Sequence, residues 1–216
     1  MSNKKSYYEK ILHKELLKPL LTMLKMTDEE AYLHSLEVAR ITDRCIDILQ
    51  KWNECEWSNK EIEYILMGAL LHDIGKAYLP FGLQHTSAKL DKYDLAIIQT
   101  HPILGYEVTK QCGLNEITSN IILMHHANAD GTGYPIFDHT PYVENSVPDY
   151  VWLVAYADRF EAMTNQRMYK KAKDYPTAWK EILSMSREYK LPYKFTRVFS
   201  EIIKSDSILP IKIPKL

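Results

Sequence analysis

The chain has 216 residues, 46% hydrophobic and 25% charged, with a formal net charge of -1 at pH 7. That length supports one domain with a substantial core, and so even a charge balance leaves no field of one sign for coating a polymeric nucleic acid. The longest apolar run, Tyr64 to Leu71, is too short for a membrane span or a signal core, so no membrane partner is expected and the cytoplasm is the default address.

Glycine occurs seven times, and apolar residues recur at three- and four-residue steps, which predicts an all-α fold. In chain order the period places helices over 5–25, 28–52, 59–73, 91–100, 102–112, 115–127, 149–164, 174–189 and 193–204. Thr27-Asp28-Glu29-Glu30 and Ser58-Asn59-Lys60-Glu61 both match a capping box ahead of an apolar-periodic stretch. The stretches 77–90 and 128–148 carry prolines and glycines without period and read as loops, and 208–216 reads as an extended strap. The expectation is a single stand-alone domain over 1–216, with an N-terminal helix in 1–26, the motif-bearing part over about 30–173, and helices and strap over 174–216. Cys45, Cys55 and Cys112 are odd in number and far apart, which argues against a disulfide framework or a zinc knuckle.

Histidines and aspartates fall at the ends of these elements. Glu30 and His34 are four residues apart and share a helix face, with Cβ atoms about 5–6 Å apart. His72 and Asp73 follow the buried run Leu66 to Leu71, where a polar pair without partners is costly. A metal ion would satisfy both, whereas a bland reading makes His72 a helix C-terminus closed by Gly75. His101 precedes Pro102 at a helix junction, and His125 and His126 close another helix. Asp158 sits in a helix apolar nearly all round and needs a cation, either a metal or Arg159 in a structural ion pair. Residue 159 projects about 100° away from 158, which favours the metal. Imidazoles mixed with carboxylates are the ligands of a hydrolytic metal site.

Gly131-Thr132-Gly133-Tyr134-Pro135 can take positive backbone dihedrals at its glycines, and Tyr134 could donate to a phosphate or lie against a base. Lys76 lies three residues past Asp73 and could pair with a phosphate oxygen, or be a solvated lysine after a glycine stop. Arg167 and Lys170 present positive charge near a helix end. Phe81-Gly82-Leu83-Gln84-His85 is a candidate lid.

His34, His72-Asp73-Ile74-Gly75-Lys76, His101-Pro102-Ile103-Leu104-Gly105, His125-His126, Asp130 to Pro135, and Ala157 to Thr164 with Arg167, Tyr169 and Lys170 resemble the HD-GYP domains in order and spacing. The resemblance covers roughly 30–173 and implies an HD-superfamily helical domain with a central metal site. It implies a phosphodiesterase that hydrolyses cyclic di-GMP to pGpG or onward to GMP by a metal-bridged hydroxide, with two or three iron or manganese ions, or zinc. By the same resemblance His34, His72, Asp73 and Asp158 would hold one ion, and Asp73 would bridge to a second held by His101, His125 and His126. Glu30 would serve a third. Asp73 and Lys76 would act at the scissile phosphate, and Gly131, Gly133, Tyr134, Arg167 and Lys170 would contact the nucleotide. Ala127 and Ala129 depart from the family pattern, at positions that bear on substrate preference and loop stability. A cyclic GMP-AMP phosphodiesterase or a non-catalytic cyclic dinucleotide sensor are the alternatives, and a homodimer or a signalling-protein partner are the assemblies to look for.

Overall fold

The computed structural model describes residues 6–84, 89–128, 130–135, 147–165, 172–188 and 194–204. Their regular structure is helical, as the apolar period predicts: α1 (Tyr7–Leu12), α2 (Leu17–Thr27), α3 (Glu29–Lys51), α4 (Asn59–Leu71), α5 (Phe81–Gln84), α6 (Lys92–Ile98), α7 (His101–Gln111), α8 (Glu116–Met124), α9 (Asp149–Thr164), α10 (Tyr175–Glu188) and α11 (Lys194–Lys204). A 3-10 turn, Ile74–Tyr78, follows α4. A lone antiparallel bridge joins Ala127 and Gly133.

The centre is made by α4 and α9, which carry the longest uninterrupted buried runs among the described helices. Ile65 to Leu71 of α4 and Val151 to Asp158 of α9 are buried without a break. Full burial of each large apolar side chain contributes about 1.5–3 kcal/mol, so this pair is the energetic base of the domain. α3 lies against both, α8 against both, and α7 against α8 and the 3-10 turn. α10 and α11 close the far side through Phe195, Val198, Phe199 and Ile202, which with Ile182 join the core. Among the described residues no helix is long and apolar enough to cross a membrane.

Three expectations need correction. The helix expected over 5–25 is two helices, separated by tight turns in which Lys14 N–H donates to Ile11 O and Leu17 N–H to Lys14 O. Pro19 explains the break: it has no N–H for a carbonyl four residues back, and is tolerated only in the first turn of a helix, where α2 places it. Thr27 does not open a capping box with Glu30. It is the last residue of α2, its hydroxyl donating to Met23 O, and Asp28 alone separates α2 from α3 and caps α3 by accepting from Ala31 N–H at 2.9 Å. Helical structure also enters the stretch expected to be a loop over 77–90, at the end of the 3-10 turn and in α5. The Ser58 to Glu61 capping box is present with both of its hydrogen bonds. The strap at 208–216 lies outside the described residues.

Candidate metal centre

Five helices deliver seven side chains to one point. His34 comes from the second turn of α3, His72 and Asp73 from the end of α4, His101 from the start of α7, His125 and His126 from the end of α8, and Asp158 from the middle of α9. All are buried except His126, whose side chain is 25% exposed. They form two groups, His34, His72 and Asp158 in one and Asp73, His101, His125 and His126 in the other, and the ligand atoms within each group lie within 4.8 Å of one another.

Both carboxylates reach across. Asp73 Oδ1 lies 3.2 Å from His101 Nε2, while its Oδ2 lies 3.5 Å from His72 Nε2 and 3.8 Å from His34 Nε2. Asp158 Oδ1 lies 2.9 Å from His34 Nε2, and its Oδ2 is 4.0 Å from His126 Nδ1 in the other group.

The imidazoles are oriented by the helices that carry them. His72, His101 and His125 donate Nδ1–H to Ala69 O, Ile98 O and Ile122 O at 2.9, 2.8 and 2.9 Å. A carbonyl can only accept, so each ring has its proton on Nδ1 and turns the Nε2 lone pair inward. His101 Nε2 and His125 Nε2 then face each other at 3.3 Å as two acceptors with no hydrogen between them. Asp73 Oδ1 is buried with no hydrogen-bond donor. Converging lone pairs and an orphaned carboxylate oxygen repel one another unless a cation joins them, and they fit a divalent metal ion.

Protonation follows the same logic. Burial holds His72 below its ordinary value, and burial with the neighbouring His126, His72 and His101 holds His125 well below. Burial lowers His126 to about 3. Burial works against ionised Asp73 and Asp158, but Lys76 and His72 around the first, and His34 around the second, keep both carboxyls well below their usual range. His34 differs: burial opposes its charged form, yet Asp158 and Glu161 outweigh it and raise the ring to about 9.

The other expected residues divide. Lys76 Nζ lies 2.6 Å from Asp73 Oδ2 with its side chain 23% exposed. Gly131 and Gly133 have φ of +83° and +88°, and a Cβ on Gly133 would stand 2.2 Å from His126 O. That close approach brings the Tyr134 ring to 4.5 Å from the His126 ring and 6.0 Å from the His101 ring. Tyr134 thus lies against the His126 and His101 imidazoles, and burial raises its hydroxyl pKa. Glu30 is exposed in the first turn of α3, outside both ligand groups. Phe81 opens α5 and is exposed, while His85, Ala129, Arg167 and Lys170 lie outside the described residues.

Two contacts were not anticipated from sequence, one made by Glu161 and the other by Arg159, which was weighed only as an ion partner for Asp158. Glu161 accepts a hydrogen bond from His34 Nδ1, and Arg159 Nη2 donates to Asn128 Oδ1 at 2.9 Å, tying α9 to the turn after His126. Spacing carried a signal for the first. Glu161 is three residues past Asp158, on the same face of a helix that has almost nothing but apolar neighbours.

An all-helical domain with two adjoining histidine and aspartate groups at its centre is the class that fold and site define. The sequence model of the HD domain family matches residues 31–163, a span that includes all seven of these side chains. The chain belongs to the HD domain family. It is 29% identical over 181 residues to a cyclic di-GMP phosphodiesterase of Thermotoga maritima, covering 83% of this chain and 46% of that one. It is 28% identical over 159 residues to the 3'3'-cGAMP-specific phosphodiesterase 2 of Vibrio cholerae, covering 73% of this chain and 28% of that one. Its fold is similar to the L. monocytogenes phosphodiesterase PgpH HD domain in complex with cyclic-di-AMP, with a TM-score of 0.63 and 17% identity over 91% of this chain and 100% of that one. The chain spans less than half the length of either curated relative.

Proposed function

We propose that the chain is a metal-dependent phosphodiesterase that hydrolyses cyclic di-GMP to pGpG or onward to GMP. It would hold two divalent ions, iron or manganese, in the two ligand groups and a third beside Glu30. The observation that carries this reading is Asp73, whose two oxygens face different ligand groups. The resemblance of the His72-to-Lys76, His101-to-Gly105 and Asp130-to-Pro135 motifs to HD-GYP domains supports the cyclic di-GMP assignment, as does the name of the T. maritima relative.

Paired ions of this kind supply charge neutralisation at the phosphate and a water of lowered pKa. The chain's own part is positional. Helix ends hold three imidazoles with their Nε2 atoms inward, so little reorganisation accompanies the reaction. Lys76 has three donors and uses one on Asp73, and its partly exposed side chain is placed to give another to a phosphate oxygen as negative charge grows there. Tyr134 walls the second ligand group on one side, where its hydroxyl or ring would meet the nucleotide. Gly131 and Gly133 allow that loop to approach the phosphate, and Arg167 and Lys170 would add positive charge around it. Ala127, directly after the histidine pair, is a place where base preference could differ from that of relatives.

The test is chromatography of products after iron- or manganese-loaded protein meets cyclic di-GMP, cyclic GMP-AMP and cyclic di-AMP, beside Asp73→Asn. The expected result is pGpG or GMP from the unsubstituted chain alone. Faster cleavage of another cyclic dinucleotide would reassign the substrate within the same chemistry. Cyclic di-GMP bound but uncleaved in every metal state would overturn the enzyme reading in favour of a sensor.

A further inference from the structure

The two ligand groups are not equivalent in the charge that backs them. His72, His101 and His125 lean on backbone carbonyls, which are neutral acceptors. His34 leans on the carboxylate of Glu161, a side chain 5% exposed in the core of the domain. Glu161 is itself held, since Asn165 Nδ2 donates to its Oε1 at 2.7 Å and Asn165 N–H to its backbone carbonyl at 3.0 Å. Its other oxygen is thereby aimed at His34 across 127 residues of chain. The Lys76 ammonium sits on Asp73 Oδ2, an oxygen of the carboxylate that both groups share, so the difference between the groups lies in the partners of their histidines.

A carboxylate on the outer nitrogen of an imidazole makes the inner nitrogen more basic and fixes its direction, and losing such a partner typically costs about 10–100-fold in metal affinity. We propose that Glu161 is a positioning residue that makes the His34, His72 and Asp158 group the tighter of two divalent-cation sites, so that it fills first and the group around His101 fills second. The proposal rests on the metal-centre reading given above. It gives Glu161 a role in the order of loading: at limiting metal the chain carries one ion in the His34 group, and the second site sets whether the centre is complete. A purely structural Glu161, present only to neutralise a buried His34, would govern folding and leave metal affinity alone.

Calorimetric titration of the metal-free full chain with manganese separates these roles, with free manganese followed in parallel by its paramagnetic resonance signal. The unsubstituted chain should bind in two steps, and His101→Ala should remove the weaker one. Glu161→Gln keeps an acceptor for His34 Nδ1 and removes the charge, and should weaken the tight step by about tenfold or more with the weaker step unchanged. Asn165→Ala, which frees one end of Glu161 without touching His34, should weaken the same step by less and serves as the test if the glutamine variant does not fold. A tight step at full affinity in a folded Glu161→Gln chain would overturn the proposal, as would equal weakening of both steps. No manganese bound by the unsubstituted chain would instead overturn the metal-centre reading, and this assignment with it.

Discussion

A histidine just past the end of a helix meets a carbonyl that the helix has left without a partner. The last four carbonyls of a helix have no intrahelical donor, and His72 and His125 occupy the capping positions of α4 and α8 from which Nδ1 reaches back three residues. One hydrogen bond thus completes the helix and fixes the tautomer that points Nε2 inward. Asp43 shows the reverse case, an ionisable side chain whose burial works against it. Burial first, then the Asp47 charge, push its carboxyl up to about 6, although the Tyr8 N–H and the Ser6 hydroxyl pull the other way. A carboxyl raised in the folded state favours folding while protonated, so its contribution is full below about pH 4 and is lost as pH rises through about 6. Asp43→Asn should therefore be more stable than the unsubstituted chain by up to about 3 kcal/mol at pH 8, with the difference shrinking toward pH 4. Urea unfolding of both metal-free proteins at pH 4.5 and 8 checks this, and a difference independent of pH would contradict it.

At the scale of elements, the site depends on how closely α7 approaches the turn after α4. Gly75 makes that approach: a Cβ there would stand 1.9 Å from His101 O and 2.7 Å from Gly105 N. Gly75→Ala must push α7 outward and stretch the 3.2 Å contact between His101 and Asp73. The expected outcome is a loss of about 1–3 kcal/mol in stability, with weaker binding in the second manganese step, read by thermal melting and calorimetry. Unchanged melting and binding would mean that the two elements can part without cost. Much of this level was legible in the sequence. The Ser58 to Glu61 box, the nearly all-apolar α9 and the boundaries of α9 and α11 follow from local signals that tertiary packing leaves alone. The Thr27 box failed because an aspartate one residue later is an equally good cap, and only the direct abutment of α2 and α3 decides between them. Pro19 held the clue to the break between α1 and α2, but an unbroken apolar period across it masked the missing donor.

For the whole molecule, the clustered histidines and aspartates span residues 34 to 158, so the cluster exists only when α3, α4, α7, α8 and α9 are packed together. Which residues converge was readable from residue type and motif order, because few other functions place histidine and aspartate beside fully apolar runs. Three features were not. Asp158 reaches toward both groups, Tyr134 lies on His126 and Glu161 stands behind His34; each is a distance between elements, and spacing along α9 puts Glu161 on the face of Asp158 without saying what it meets. The central claim is that Asp73 joins two metal positions. Anomalous diffraction from manganese-loaded crystals measures this most directly. The expected map has two peaks about 3.5–4 Å apart astride the Asp73 carboxylate, one bounded by His34, His72 and Asp158 and the other by His101, His125 and His126. A single peak, or two peaks that do not share Asp73, would contradict the account.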